Sequence, residues 1–213
     1  MPFASIGRRR FCIMTLVSIG GAVVATRRTM ADSAAVAPIR TLCDALLGIM
    51  KAGHSAPFQQ RYNTLAPVVD KVFDLPVVLQ VSVGPTWSSL ASDQQSTLEV
   101  AFRRYTLANY VSNFDNFTGQ HFEVEPDTKS LPNGEQLAQT KIIAASGESH
   151  DLDYVMRNVG GAWKAIDVLA DGSISRVAVQ RSDFRRLVAR GGAQALIESL
   201  NQKTTDLSGG TLT

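Results

Sequence analysis

The chain has 213 residues, 45% of them hydrophobic, with 21 Lys and Arg against 19 Asp and Glu. Five arginines (Arg8, Arg9, Arg10, Arg27, Arg28) and no acid precede Ala31, so the rest carries 16 bases and 19 acids, a net charge of −3. That weakly acidic remainder excludes the electrostatic footprint of a nucleic-acid binder and strong adhesion to anionic membranes.

The first segment reads as an export signal. Arg8 to Arg10 form a basic start, and Phe11 to Ala25 is an uncharged, mostly apolar run of 15 residues, short of the roughly 18 to 20 needed to span a bilayer. Small residues follow, which places a signal peptide over residues 1–31, with an alternative cleavage after Ala35. Arg8-Arg9-Arg10-Phe11 fits a twin-arginine leader as well as a plain secretory one; an uncleaved membrane anchor is the less favoured alternative. Cys12 leaves with the leader, so Cys43 has no intramolecular disulfide partner. Residues 32–205 are long enough for one domain, and 206–213 are expected to be a flexible tail.

Helical periodicity dominates the first half. Pro38 to Lys51 places Ile39, Leu42, Cys43, Leu46, Leu47 and Met50 on one face. Phe58 to Phe73 predicts a second helix, bent or interrupted at Pro67. Asp74-Leu75-Pro76 has the form of a helix start, with Asp74 as N-cap and Pro76 in the first turn. The apolar run Leu75 to Val83 follows. Ser92-Asp93-Gln94-Gln95 opens a long helix with Leu98, Ala101, Phe102, Tyr105, Asn109 and Ser112 along one face.

After Gly119 the period changes to two. His121 to Glu125, Gln139 to Ser146, Asp151 to Arg157 and Ala162 to Leu169 are four predicted strands, joined by turn-rich links that suit an antiparallel meander. Asp171-Gly172 is expected to end the sheet. A short helix capped by Ser182-Asp183-Phe184 and closed by Gly191-Gly192 precedes a final helix, Ala193 to Lys203. The predicted fold is α+β: a helical N-terminal half on at least four antiparallel strands, with C-terminal helices.

No catalytic constellation emerges. Ser149-His150-Asp151 has triad residue types, but consecutive side chains diverge and triads meet in space. Gly147-Glu148-Ser149-His150-Asp151 lacks the closing glycine of a nucleophile elbow. His54, His121 and His150 are far apart, with no zinc spacing. Asp151 and Asp153 share a strand face expected to be solvent-exposed. Asp167, inside an apolar strand, is expected to hold a buried structural hydrogen bond. No catalytic residue, metal or cofactor is expected.

The order of landmarks, however, carries a resemblance. A helix ending near Asp74-Leu75-Pro76 is followed by Gly84-Pro85-Thr86-Trp87-Ser88-Ser89-Leu90 and a long helix around Phe102 and Tyr105. Then come four strands, the last ending Trp163-Lys164-Ala165-Ile166-Asp167-Val168, and finally Gly172-Ser173-Ile174-Ser175, Phe184 and Gly191-Gly192-Ala193-Gln194-Ala195-Leu196. Over roughly Pro38 to Asn201 this resembles the MlaC/toluene-tolerance family of periplasmic phospholipid carriers, especially its hopanoid-associated branch, HpnM. The Gly84-Pro85 pair departs from the family pattern.

The resemblance implies a periplasmic, non-enzymatic carrier. It would hold a phospholipid or hopanoid-type lipid as cargo in an apolar cavity and exchange it with membrane-bound complexes of an ABC-type transport system, acting as a monomer. Two other classes stay open: an enzyme on a cavity-bearing α+β sheet, and a ligand-free accessory protein of a membrane complex. The residues expected to line the cavity are Leu75, Val78 and Leu79 on the apolar helix, with Trp87 after it, and Leu98, Phe102 and Tyr105 on the long helix. The sheet is expected to contribute Phe122, Val124, Ile142, Leu152, Tyr154, Met156, Ile166 and Val168. Periodicity alone leaves a filled core as the alternative.

Overall fold

The computed structural model describes residues 33–212; the expected signal peptide lies outside the described residues. Among the described residues five α-helices and five strands succeed one another: α1 (Ala37–Ala52), α2 (Phe58–Val72), α3 (Leu75–Val83), α4 (Ser92–Asn113), β1 (His121–Ser130), β2 (Gln136–Ile143), β3 (Ser149–Val159), β4 (Ala162–Ala170), β5 (Ile174–Ser175) and α5 (Arg176–Leu207). The sheet is an antiparallel meander in sequence order. Helices plus an antiparallel sheet give the expected α+β class. Among the described residues no helix is long and apolar enough to cross a membrane.

The helices form where their apolar faces repeat. α1 has Pro38 in its first turn, where a missing N–H costs nothing, and buries Ile39, Leu42, Cys43, Leu46, Ile49 and Met50. Ile49 takes the buried place expected for Leu47. Burial pushes the Cys43 thiol up to about 12, so it stays protonated and inert at neutral pH. α2 runs through Pro67 without ending. Asp74 caps α3 as its sequence predicts, its carboxylate accepting the Val77 N–H at 3.3 Å.

α1 packs on α2 and β1, α2 on α4 and β4, and α3 is held among α4, α5 and β4. Two arginines of α5 meet the C-terminal end of α3. Arg181 Nε donates to the Val81 carbonyl at 3.2 Å, and the Arg185 guanidinium lies against Gly84. Gly84 has φ +78°, and a Cβ there would fall 2.8 Å from Arg185 Nη2. The departure at Gly84-Pro85 therefore has a backbone reason: φ +78° with ψ −149° is a conformation that glycine adopts readily and other residues do not.

Four of the observed features differ from the predicted elements. β2 begins at Gln136 rather than Gln139, because β1 continues past Pro126 to Ser130 and pairs with those extra residues across a bulge between Val124 and Thr128. Ala144 to Ser146 leave the strand for a turn, closed by the Gly147 N–H on the Ala144 carbonyl. A two-residue β5 follows the Asp171-Gly172 turn, and α5 starts at Arg176, capped by Ser175 rather than Ser182. Its backbone is broken at Gly191 and Gly192 as expected.

The tail also differs. α5 extends to Leu207, and Leu212 is buried on the core, its N–H bonded to Ser208 Oγ and its carbonyl to Thr205 Oγ1. One apolar side chain and two hydroxyl contacts hold residues that composition alone marks as loose.

Asp153 is likewise buried rather than exposed. Its carboxylate accepts the Thr140 N–H at 3.1 Å, while the Thr140 hydroxyl donates to the Leu152 carbonyl, so side chains replace part of the β2–β3 ladder. Burial raises the Asp153 carboxyl above the ordinary range, and the Thr140 hydrogen bond opposes part of that rise. The folded state then holds this proton more tightly than the unfolded chain, so this group's contribution to stability falls as pH climbs through the interval. Asp153→Asn keeps an acceptor for Thr140 without the charge. The variant is expected to be more stable than the parent at neutral pH, with the gain vanishing below about pH 4. Urea midpoints across pH check this; a gain that persists or grows in acid contradicts it.

Candidate functional site

A cavity of about 320 Å³ lies between the helical layer and the β3–β4 face of the sheet. One side is apolar: Leu75 and Val78 from α3, Leu152 and Tyr154 from β3, Val168 and Ala170 from β4, and Val177 from α5. The other is α4, which contributes Phe102, Tyr105, Thr106, Asn109, Tyr110 and Asn113, with Phe114 just beyond its end. Residues three, four and seven apart share a helix face, so Thr106, Asn109 and Asn113 make one polar stripe beside the rings of Tyr110 and Phe114. Asn113 and Arg176 are the lining residues exposed to solvent, and they mark the mouth.

β4 positions both flanking helices. Phe73, at the corner between α2 and α3, forms a bridge with Ala165, and the Asp74 N–H donates to the Ala165 carbonyl at 3.0 Å. Lys164 Nζ adds a bond to the Asp70 carbonyl at 3.2 Å. Two residues on, Asp167 holds the start of α5. Its Oδ1 accepts the Val177 N–H at 3.1 Å and its Oδ2 the Ser175 hydroxyl, while Ser175 Oγ accepts the Ala178 N–H at 2.9 Å. Asp167 therefore makes structural hydrogen bonds, at a helix start where a carboxylate is favoured.

Aromatic rings form a connected wall. Phe73 lies 6.2 Å from Tyr154 and 5.7 Å from Tyr110; Tyr110 stacks on Phe114 at 6.0 Å, and Phe114 meets Phe122 at 6.2 Å. These separations are those of favourable ring pairs. The Tyr110 and Tyr154 side chains interact with each other, and burial drives both phenols well above their ordinary range. Both remain neutral, as a wall facing apolar contents requires.

Seven of the fifteen residues expected from sequence line this cavity: Leu75, Val78, Phe102, Tyr105, Leu152, Tyr154 and Val168. The other eight are placed elsewhere. Leu79, Leu98 and Met156 are completely buried among other core side chains. Trp87 packs on the core from the turn after α3, and its carbonyl accepts from Gln95 Nε2 at 2.9 Å. Phe122 and Ile142 pair with each other across β1 and β2, beyond Phe114. Val124 sits where Arg40 of α1 reaches its carbonyl. Ile166 is turned to the opposite sheet face, where it lines a shallow groove with Val77, Val81 and Val155.

The displacement of Ile166 has a single cause. Met156 pairs with Ala165 and Val155 with Asp167, so Ile166 is the extra residue of a bulge. One inserted residue inverts the two-residue period, which separates Ile166 from Val168. Of the lining residues absent from the sequence-derived set, Thr106, Asn109, Tyr110 and Asn113 lie on α4 and Phe114 just beyond it, where extending the Phe102/Tyr105 stripe by three and four leads. Arg176, Val177 and Gln180 have no periodic signal, since their place depends on Asp167 holding α5.

The triad-like Ser149-His150-Asp151 does not assemble. His150 is exposed, with its ring nitrogens 3.5 Å from Glu148 and 3.7 Å from Asp171. Among the described residues, no group of three or more His, Cys, Asp or Glu is placed to hold a metal ion.

The MlaC protein family model matches residues 40–202, which include every helix and strand that walls the cavity. The chain belongs to the MlaC family. A solved structure from Ralstonia solanacearum, a phospholipid-binding protein in complex with a phospholipid, has the same fold. It superposes with a TM-score of 0.70 at 20% identity, covering 82% of this chain and 98% of that one. No curated protein matches the chain in sequence.

Val78 and Leu79 are adjacent but stand in different surroundings, one on the cavity and one in filled core. Leu79→Ala is expected to destabilise by about 2–5 kcal/mol, because it opens a new void. Val78→Ala enlarges an existing space and is expected to cost about 1 kcal/mol. Denaturant titration of the two variants checks the difference. Equal losses contradict the placement.

Proposed function

We propose that this protein is a soluble, periplasmic lipid carrier that shuttles a phospholipid or hopanoid-type lipid between membrane-bound complexes of an ABC-type transport system. The observation that carries the proposal is the cavity, with apolar and aromatic walls and its exposed polar residues confined to the mouth. Such a space suits a molecule with an apolar body and a polar end. MlaC family membership and the phospholipid held by the Ralstonia protein support the same reading. The expected leader supports export, and the carrier acts as a monomer. No catalytic group is needed, because the work is solvation. A lipid with two chains of about 30 methylenes in total exposes apolar surface worth roughly 24 kcal/mol, at about 0.8 kcal/mol each.

The volume bears on loading. About 320 Å³ is at the low end of the roughly 300–1,000 Å³ found for ligand sites. A two-chain cargo therefore widens the space as it enters, by displacing α4 while the α2–α3 corner stays tied to Ala165. The apolar run Leu75 to Val83 has a role in this scheme. Leu75 and Val78 face the cargo, while Leu79 and Val83 anchor the helix in core.

Native mass spectrometry of mature protein purified without detergent, followed by lipid extraction, tests the proposal. A long-chain lipid near one per protein is expected. Ala170→Phe, which directs a ring into the cavity, should reduce that occupancy severalfold while the circular dichroism spectrum is retained. Lipid-free parent protein, or unchanged lipid content in the variant, contradicts the carrier reading.

A further inference from the structure

The first half of α5, from Arg176 to the break at Gly191, holds five arginines and one acid, Asp183. The remainder of the chain after Ala31 holds 11 bases and 18 acids, so a segment of charge +4 stands against −7 elsewhere. The sheet keeps the two signs apart. β5, which leads into α5, is at one edge and β1 is at the other, and β1 carries exposed Glu123, Glu125 and Asp127 against Lys129.

Four of the five arginines are exposed: Arg176, Arg185, Arg186 and Arg190. Among them on the outer side of the helix lie Ala178, Val179 and Ala189, also exposed, while Val177 and Phe184 turn into the core. Asp183 is half-buried and is met by Arg186 at 2.8 Å. Large apolar side chains gather here as well. Of the six that are exposed among the described residues, Val179 is on this face at 46% and Ile174 just precedes it at 51%. A third, Val81, is on α3 where Arg181 reaches its carbonyl. Asp171, in the turn before Ile174, is the exposed acid nearest in sequence. Arg176 belongs both to this face and to the cavity lining, so the face borders the mouth.

We propose that the outer face of α5 between Arg176 and Arg190 is a docking surface for an anionic lipid bilayer. A helix lying in a headgroup layer buries apolar side chains and sets basic ones against anionic lipid, and this face offers both. An acidic protein surface answers the arginines alone. The net charge of −3 after Ala31 keeps the contact weak and reversible, and the separation of signs turns the acidic β1 edge away from the membrane. The proposal rests on the lipid-carrier reading only for its consequence, that docking sets the mouth against the bilayer a lipid would leave or enter.

The test follows mature protein, as purified, onto sedimented vesicles of phosphatidylcholine alone or of an equal mixture with phosphatidylglycerol. At low salt, binding to the mixed vesicles is expected to exceed binding to phosphatidylcholine by roughly tenfold, and high salt should abolish the difference. Arg186→Gln combined with Arg190→Gln should lower binding to the mixed vesicles by roughly fivefold per arginine. Lys71→Gln combined with Lys129→Gln removes the same charge from exposed sites on α2 and β1, and should change binding by no more than about twofold. Val179→Trp should add fluorescence that moves to the blue on mixed vesicles, read as a difference from the parent's Trp87 and Trp163. Val100→Trp, at an exposed site on α4 beside Glu99 and Arg103, should not.

Equal binding to the two kinds of vesicle overturns the proposal. So does an equal loss in the two double variants, which reduces the effect to net charge, or no shift for Val179→Trp, which puts the contact elsewhere on the molecule. Binding to neither vesicle overturns it as well and leaves the arginine face to an acidic protein. None of these readouts depends on a bound lipid, so the carrier reading stands or falls separately, on native mass spectrometry.

Discussion

The cavity depends on β4 holding two helices at fixed points on either side of a bulge. Ala165 fixes the corner between α2 and α3 through backbone groups, and Asp167 fixes the first turn of α5 through its carboxylate. Hydrogen bonds to a charged group contribute about 1.5–3 kcal/mol each, enough to resist closure of the space between them. Without the bulge, Ala165 and Asp167 would lie on one face in strict alternation. Ile166 would then point among the helices, and an ordinary core would fill the gap. One inserted residue thus separates a lined space from a packed one.

The walls persist for a second reason. Tyr154, Phe73, Tyr110 and Phe114 form a run of ring contacts, and rings with few torsions lose little entropy when held in place. Across from them, α3 divides its residues between two tasks, so a short helix can both face a cargo and remain anchored. The polar lining groups are the α4 stripe, the exposed residues of the mouth, and Asp167 and Gln180 beside the first turns of α5, while the rest of the wall is apolar or aromatic.

Much of the fold is legible in the sequence because its helices follow simple spacing. The Asp74 cap, the starts of α2 and α4 and the break at Gly191-Gly192 are all local signals, read within a few residues. The sheet is legible as four alternating segments, but its phase is not. The bulges in β1 and β4 are set by neighbouring strands, and they move β2 by three residues and turn Ile166 over. Burial of Asp153 and of Leu212 is equally a tertiary matter, since each is drawn in by partners distant in the chain or by the core. For the site, α3 and α4 residues were accessible to periodicity, whereas Arg176, Val177 and Gln180 owe their position to one carboxylate on another element. Leu79, Leu98 and Met156 show the limit most clearly: an apolar stripe looks the same whether it faces core or cargo.

The adjacent pairs Val77/Val78 and Ile166/Asp167-Val168 place apolar side chains on opposite sides of the same walls, which allows the central claim to be tested by position. A phospholipid carrying a photoactivatable diazirine on an acyl chain is loaded into the mature protein, irradiated, and the labelled residues are read by peptide mass spectrometry. The account predicts labels on Leu75, Val78, Phe102, Leu152 and Val168. Labels concentrated instead on Val77, Val81, Val155 and Ile166, in the groove on the far side of the sheet, would contradict it.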